Sequence, residues 1–202
     1  RERQGYRGSG AYEFDGSNDF INLTNRTTLN LGTTNRFTLA AWVKPYTSPP
    51  GTGIITEQYT TGTDSIQYEL GFGLTSGTTA IPQIAFYNGT AWKSSTYGTG
   101  PTSGVWTHYA GVWNGTHLNL YVNGALVNST AYASTSIPTG GVQQYWVGRR
   151  HDTAGTYDFF PGFLDDVLVM NRSLTGEQIL SIYQNRTDVL KGMELAVGQS
   201  WS

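Results

Sequence analysis

The sequence predicts an all-β protein in which two antiparallel sheets pack face to face, with one short helix near the C-terminus. Only 13% of its 202 residues are charged, about half the usual share, and 26 are glycine. This composition disfavours long surface helices and is typical of short strands joined by polar turns. Apolar and polar residues also alternate over many short runs, which is the period of a strand with one buried face.

Nine runs carry this alternation and are separated by turns rich in glycine, threonine and asparagine. In chain order, the predicted strands are residues 11–15, 37–43, 54–59, 67–74, 83–87, 106–113, 117–122, 142–148 and 163–170. Three Asn-Gly pairs lie beside these runs and predict tight hairpins, since both central residues of a type I′ turn need a positive φ. The pairs are Asn88-Gly89, Asn114-Gly115 and Asn123-Gly124.

The helix is predicted by a capping motif at residues 174–179. Thr175 is expected to be the N-cap, with Gln178 three residues later completing a capping box. Leu174 and Ile179 lie on either side of the cap as a hydrophobic staple. We expect this helix to cover a sheet edge or to close one end of the sandwich.

Strand parity separates an aliphatic face, expected in the core between the sheets, from a second face that carries aromatic rings. In residues 106–113 it assigns His108, Ala110 and Val112 to the core. The rings of the second faces are Trp42, Tyr109, Trp113 and Tyr121. Such a surface is too aromatic for ordinary exposure to solvent, so either loops cover it or it is an open platform for a ligand.

Charge and cysteine content exclude several classes of function. A formal net charge of −2 and a pI near 5.9 give no electrostatic basis for binding nucleic acid or anionic membranes. The absence of cysteine excludes disulfides and Cys-ligated zinc, and no apolar run approaches the roughly 18 residues that span a bilayer. The first residues carry no signal peptide, which indicates a mature or excised fragment.

Asn-x-Ser/Thr tripeptides are more frequent than composition predicts. Seven occur where chance would give roughly two or three, and each is an acceptor sequence for N-glycosylation. They begin at Asn22, Asn25, Asn88, Asn114, Asn128, Asn171 and Asn185. The enrichment favours an extracellular or cell-surface protein, although threonine-rich turns also generate such tripeptides by composition alone.

Short motifs in a fixed order cover residues 10–185. They read YEFDGSNDFI at 12–21, FTLAAWVKP at 37–45, WTHYA at 106–110, LNLYVNG at 118–124, VGR at 147–149, GFLDDV at 162–167 and NRSLT at 171–175. In order and spacing they resemble the laminin-G-like branch of the concanavalin A-like lectin/glucanase superfamily, including its pentraxin relatives. The resemblance implies an antiparallel jelly-roll sandwich with one convex and one concave sheet. It places this domain at residues 10–188, after a lead-in at 1–9 and before a tail or linker at 189–202.

The resemblance also implies a calcium ion that joins the N-terminal turn to the last strand. Its ligands would be Asp15, Asn18, Asp19 and Asp165, with backbone carbonyl groups completing the shell. Calcium takes about six to eight oxygen ligands, and such a site would tie the chain ends together without disulfides. The alternative is that residues 15–19 form a polar turn and that Asp165 is a carboxylate at a strand edge.

The aromatic second face, with its polar neighbours, predicts a carbohydrate site. Sugar rings stack their apolar C–H patches on aromatic rings, and their hydroxyl groups need fixed donors and acceptors. The predicted ligand-binding residues are Trp42, Glu69, Tyr109, Trp113, Tyr121, Trp146, Arg150 and Tyr157. Residues 149–160, which include Arg149 and Asp158, are expected to form a rim. The alternative is that the aromatic rings pack beneath loops.

Catalysis is not expected. The glucanases that the chain resembles place three carboxylates on one strand, and the nearest approach here is Glu13 with Asp15. We therefore predict a non-catalytic, calcium-stabilised extracellular module that binds carbohydrate or mediates adhesion in a larger cell-surface protein. Its partners would be a glycan or cell-surface polysaccharide and other surface proteins, without nucleic acid or membrane insertion. The alternative is a purely structural or protein–protein interaction module of a surface or filament assembly.

Overall fold

The computed structural model describes residues 2–6, 10–23, 31, 34–49, 51–61, 63–74, 80–98, 100–133, 137, 142–151 and 157–184. Its first eight strands are β1 (Glu2–Gln4), β2 (Gly10–Asp15), β3 (Ile21–Asn22), β4 (Phe37–Pro45), β5 (Thr52–Thr61), β6 (Thr63–Leu74), β7 (Ala80–Tyr87) and β8 (Trp92–Thr96). The later elements are β9 (Thr107–Trp113), β10 (His117–Val122), β11 (Ala125–Ala131), β12 (Val142–Val147), β13 (Arg149–His151), β14 (Tyr157–Phe159), β15 (Pro161–Met170) and α1 (Gly176–Gln184). No helix in these ranges is long and apolar enough to cross a membrane.

The strands form two large antiparallel sheets and a small hairpin. The seven-stranded sheet has the order β1-β2-β15-β4-β9-β10-β11, the six-stranded sheet has the order β3-β12-β5-β6-β7-β8, and β13 pairs with β14. The predicted class, an all-β jelly-roll sandwich of two antiparallel sheets with one short C-terminal helix, is confirmed. All nine predicted strands are present, whereas β1, β3, β8, β11, β13 and β14 were not predicted. β1 lies within the predicted lead-in and pairs with β2; the domain limits stay a prediction.

The larger apolar core lies between the two large sheets. β4 contributes Phe37 and Leu39 to it, and β6 contributes Leu70 and Phe72. These are alternate residues in each strand, because successive side chains point to opposite faces. All four are fully buried, and burying one such side chain stabilises a fold by about 1.5–3 kcal/mol. The predicted core faces of these two strands are confirmed.

The two faces of β9 are the reverse of the prediction. Phe37 pairs with Trp113, so Trp113 and Tyr109 face the core between the sheets. Ala110 and Val112 face outwards, into a second apolar cluster beneath α1. Both faces of β9 are apolar, so alternation alone does not decide which of them faces the other sheet.

Helix α1 begins with the predicted capping box. The Thr175 N–H donates to Gln178 Oε1 (2.9 Å), and the Gln178 N–H donates to Thr175 Oγ1 (3.3 Å). The staple residues Leu174 and Ile179 are buried in the second apolar cluster together with Tyr121. The helix therefore packs on the outer face of the seven-stranded sheet and also contacts β11, the edge strand of that sheet, so the expected cover of a sheet edge is found together with cover of the face.

The three Asn-Gly pairs form two kinds of turn. Asn123-Gly124 joins β10 to β11 with a positive φ at both residues, 49° and 80°, as a type I′ turn requires. Asn88 and Asn114 are not among the described residues with positive φ. Their side-chain oxygens instead accept N–H groups two and three residues ahead, which is the Asx-turn arrangement. A hairpin is therefore confirmed at all three pairs, since β7 pairs with β8, β9 with β10 and β10 with β11. The type I′ turn is confirmed for Asn123-Gly124 and is wrong for the other two pairs.

His108 is buried on the outer face of the seven-stranded sheet, where it is 1% exposed. Between ring centroids, it lies 5.3 Å from Trp42 and 6.1 Å from Tyr183 of α1. Neither ring nitrogen has a hydrogen-bond partner in the described part of the chain. Burial disfavours the charged imidazolium and lowers the pKa of His108 from 6.5 to about 4.

We predict that acid destabilises the fold through His108. Between pH 6.5 and about 4 the unfolded chain binds a proton at this residue and the folded chain does not, so the free energy of unfolding falls as the pH falls. The loss reaches about 3 kcal/mol near pH 4, and this contribution is constant above neutral pH. Urea unfolding at neutral pH and at mildly acidic pH should show a smaller loss for His108→Leu than for the wild type. Equal losses in the two proteins would contradict the assignment.

Candidate functional site

The β13–β14 hairpin lies on the outer face of the six-stranded sheet, above β5. Thr56 Oγ1 donates to the carbonyl oxygen of Arg149 (2.9 Å), and Thr52 Oγ1 donates to that of Asp158 (3.2 Å). Gly53 permits this approach, since a Cβ atom there would lie 3.0 Å from the Arg149 carbonyl oxygen and would clash with Thr56 Cγ2. The hairpin is therefore held firmly against the sheet.

One face of the β13–β14 hairpin carries a network of charged groups. Arg150 Nη1 lies 3.6 Å from Glu69 Oε1, and Arg150 Nη2 donates to Asp158 Oδ2 at 3.1 Å. Gln83 Nε2 also donates to Glu69 Oε1 (2.7 Å). Glu69 is 1% exposed; burial raises the pKa of its carboxyl group, and the positive charge of Arg150 opposes that effect. Both terminal nitrogens of Arg150 thus have carboxylate partners.

The opposite side of the hairpin places Arg149 among three aromatic rings, because consecutive residues of a strand point to opposite faces. Arg149 Cζ lies 3.8 Å from the ring centroid of Phe20, 3.9 Å from that of Trp146 and 4.1 Å from that of Tyr157. We call these four residues the Arg149 cage. Trp146 is 2% exposed, whereas Phe20 and Tyr157 are 38% and 46% exposed. Burial lowers the pKa of Arg149.

Four of the eight predicted ligand-binding residues meet at this hairpin. Glu69 and Arg150 face each other beneath it, while Trp146 and Tyr157 belong to the Arg149 cage. The sequence analysis assigned Arg149 to a rim but not to the ligand-binding residues, and it did not identify Phe20. Phe20 follows a polar turn and comes directly before β3, which pairs with β12 next to Trp146. This position is the signal from which Phe20 could have been identified.

The other four predicted residues lie elsewhere, and the prediction that the second-face rings form one exposed platform is wrong. Tyr109 and Trp113 fill the core between the sheets. Trp42 and Tyr121 lie on the outer face of the seven-stranded sheet, where the ring of Tyr6 stacks on Trp42 at 3.5 Å and α1 packs over Tyr121. All four are more than nine-tenths buried. These rings stabilise the sandwich and are not accessible to a ligand.

The four predicted calcium ligands do not come together. Asp15 pairs with Pro161 of β15, and Asp165 is four residues further along that strand, roughly 13 Å away. Calcium–oxygen distances of about 2.3–2.6 Å exclude one ion shared by the two carboxylates. The carboxylate of Asp165 instead accepts the N–H groups of Tyr6 and Asp166, both at 2.8 Å.

The turn at residues 15–19 is held by its own backbone groups. Asp15 Oδ1 accepts the N–H groups of Ser17 (2.7 Å) and Asn18 (3.2 Å), and Asp19 Oδ2 accepts the N–H of Asp15 (3.1 Å). The Ser17 N–H is the largest cause of the lowered pKa of Asp15. Within the described ranges, no group of three or more His, Cys, Asp or Glu side chains is arranged to hold a metal ion. The residues present therefore do not fit the predicted calcium shell.

Five of the seven predicted glycosylation sites lie in described residues and differ in exposure. Asn22 and Asn171 are exposed, and Asn88, Asn114 and Asn128 are half-buried. Asn25 and Asn185 lie outside the described residues. Asn128 Nδ2, the nitrogen to which a glycan would be attached, donates to the carbonyl oxygen of Thr96 (2.8 Å). Occupancy of all seven stays a prediction.

Comparison with known proteins identifies the family. A family model described as the concanavalin A-like lectin/glucanases superfamily, of the laminin-G type, matches residues 15–180. The chain therefore belongs to this superfamily, which confirms the resemblance found in the sequence. A search of curated protein sequences found no match.

Three solved structures share the fold at low sequence identity. A heptameric SAP-like pentraxin from Limulus polyphemus is 18% identical with a TM-score of 0.63, covering 85% of this chain and 80% of its own. Domain 4 of AbnA, a GH43 extracellular arabinanase from Geobacillus stearothermophilus solved with arabinotriose, is 18% identical with a TM-score of 0.66, covering 91% and 80%. The CBM40 of the Ruminococcus gnavus IT-sialidase, bound to α2,3-sialyllactose, is 12% identical with a TM-score of 0.67, covering 86% and 97%.

We predict that Asp165 stabilises the fold through hydrogen bonds and not through a metal ion. In Asp165→Ala the N–H groups of Tyr6 and Asp166 lose their acceptors, which lowers the free energy of unfolding by about 1–3 kcal/mol. Thermal unfolding should show this loss equally in calcium and in EGTA. A calcium-dependent rise in Tm that is present in the wild type and lost in the variant would restore Asp165 as a calcium ligand.

We predict that Asn128 is not modified when the folded protein meets a glycosylating enzyme. Asn128 is half-buried and its side-chain nitrogen already donates to the carbonyl oxygen of Thr96, whereas Asn171 is exposed. Site-resolved mass spectrometry after expression in a glycosylating host should find glycan on Asn171 in preference to Asn128. Full occupancy of Asn128 would contradict the prediction.

Proposed function

We propose that this chain is a non-catalytic carbohydrate-binding module and that it binds its glycan at the Arg149 cage. The observation that carries the proposal is the pairing of exposed aromatic surface on Phe20 and Tyr157 with a cation held between them. Aromatic faces stack on the apolar C–H patches of sugar rings, and guanidinium N–H groups donate to sugar oxygens. Both kinds of contact are available at one place on the surface.

Rigidity of the cage supports binding. Trp146 belongs to β12, a strand inside the six-stranded sheet, and Arg149 is fixed through its backbone to Thr56 of β5. The network of Arg150, Glu69 and Asp158 fastens the hairpin from below. A site whose side chains are already in place loses little conformational entropy when a ligand binds, and this favours affinity.

Binding without hydrolysis is supported by the state of the nearby carboxylates. A glycosidase acid must reach the glycosidic oxygen and its partner must reach the sugar ring. Glu69 is buried beneath the hairpin, and both Glu69 and Asp158 are engaged by Arg150. The fold relatives solved with arabinotriose and with α2,3-sialyllactose also support a role in carbohydrate binding.

We further propose that the module works outside the cell, within a larger surface protein, where it contributes to adhesion. The exposed acceptor residues Asn22 and Asn171 support an extracellular location. The glycan partner would be a polysaccharide or a cell-surface oligosaccharide. A purely structural role is the alternative that a failure to bind any glycan would favour.

We predict that Tyr157→Ala weakens glycan binding by about fivefold to a hundredfold. Loss of one stacked ring removes about 1–3 kcal/mol of interaction, by analogy with the stacking of bases on aromatic side chains. A panel of oligosaccharides and cell-wall polysaccharides would be screened first, and the best ligand then titrated by calorimetry. The matched control is Trp92→Ala. It removes another exposed ring, 44% exposed, on β8 at the edge of the six-stranded sheet that is far from β12.

The outcomes separate the candidate functions. Loss of binding in Tyr157→Ala with binding kept in Trp92→Ala supports the site. Equal affinity of the wild type and Tyr157→Ala contradicts the site, and the absence of binding across the whole panel contradicts the function. Release of reducing sugars from the same panel would contradict the non-catalytic assignment.

A further inference from the structure

We infer that the Arg149 cage binds the carboxylate of an acidic sugar, either a uronic acid or a sialic acid, so that the module selects carboxylated over neutral glycans. The inference rests on the proposed function and names the ligand class of the same site. It starts from a difference between two neighbouring cations of the hairpin: among the described residues, Arg150 has acidic partners and Arg149 has none.

Arg150 is neutralised by its own surroundings. Its terminal nitrogens lie 3.6 Å from Glu69 and 3.1 Å from Asp158, so no acidic ligand is needed to balance its charge. The network lies on the opposite face of the hairpin from Arg149. Among the described residues, an incoming carboxylate therefore finds uncompensated positive charge at Arg149 and not at Arg150.

Arg149 has no carboxylate partner in the described part of the chain. Its near neighbours are the rings of Phe20, Trp146 and Tyr157, which attract a cation through their faces but accept none of its N–H groups in the strong way that a carboxylate does. The strand alternation that directs Arg150 towards Glu69 and Asp158 directs Arg149 away from both. The cage therefore contains a positive charge for which the described residues supply no negative one.

Two buried donors in the cage also lack acceptors. Arg149 Nε and Trp146 Nε1 are shielded from solvent, and neither has a hydrogen-bond partner among the described residues. A buried donor without an acceptor is unfavourable by about 1–3 kcal/mol. A ligand group rich in acceptor oxygens would relieve this, and a planar carboxylate also matches the donor geometry of a guanidinium.

The position of the cage matches an acidic sugar rather than an isolated anion. Phe20 and Tyr157 are exposed beside the guanidinium and offer apolar surface to the sugar ring that carries the carboxylate. Partial burial of Arg149 lowers the local dielectric constant and strengthens the pairing relative to water. A neutral sugar would make only the stacking contact with the rings and would form no ion pair with Arg149.

The test compares each acidic glycan with its neutral counterpart on the folded wild-type protein. One pair is trigalacturonate and its methyl ester, and the other is 3′-sialyllactose and lactose; calorimetry is run at low and at high salt. We expect the acidic member of one pair to bind about tenfold to hundredfold more tightly, with a preference that shrinks at high salt. The pair that shows the preference distinguishes a uronic acid from a sialic acid.

The variant that tests the residue is Arg149→Met, which keeps an unbranched side chain among the rings but removes the charge. It should bind the acidic and neutral members equally. The matched control is Lys93→Met. Lys93 is on the far strand β8, and its Nζ atom also lies over an aromatic ring, 5.4 Å from the ring centroid of Tyr132. This variant should keep the preference. Circular dichroism melting of both variants identifies any loss of folding.

The outcomes distinguish three claims: the acidic preference, the role of Arg149 and the proposed carbohydrate function. Equal binding of acidic and neutral glycans by the wild type, or binding of neutral glycans alone, overturns the acidic preference and leaves the carbohydrate function standing. A preference that persists in folded Arg149→Met overturns the role of Arg149. If neither these pairs nor a broad neutral panel binds, the proposed function itself falls. The wild-type comparison remains decisive even if Arg149→Met does not fold.

Discussion

The alternation of side chains along β13 is the constraint on which the candidate site depends. Arg150 forms an ion pair with Glu69 of β6, which fastens the hairpin to the six-stranded sheet, and another with Asp158 of β14 within the hairpin. Arg149 lies on the opposite face of the hairpin, among the aromatic rings of the cage. One short strand thus supplies both the attachment of the hairpin and the cation that it presents. A shift of one residue in its register would exchange the two roles and bury the wrong charge.

The two large sheets share one core but use their outer faces differently. The outer face of the seven-stranded sheet is covered by α1 and by Tyr6, and its rings, including Trp42 and Tyr121, are buried there. The outer face of the six-stranded sheet is covered in part by the β13–β14 hairpin, where Tyr157 of the hairpin and the neighbouring Phe20 stay exposed. The first arrangement adds stability, and the second leaves aromatic surface exposed next to Arg149.

Local patterns in the sequence were sufficient for most of the fold and for half of the site. Alternation and capping depend on neighbouring residues, so nine strands and the α1 cap were predictable. β9 marks the limit of this approach, because both of its faces are apolar and only its pairing with Phe37 puts Trp113 in the core. The predicted calcium ligands do not come together for a related reason. The sequence motif does not specify the strand register, and this register separates Asp15 from Asp165. Phe20 reaches Arg149 through long-range contacts that no local pattern contains.

Gly53 gives the module an unusual sensitivity to sequence change. Any side chain at this position would push the hairpin away from β5 and draw the guanidinium of Arg149 out of the surrounding rings. A bulkier residue there would keep the sandwich, because the inter-sheet core would be untouched, yet it would change the geometry of the Arg149 cage. A backbone position outside the cage thus controls how the cage is assembled.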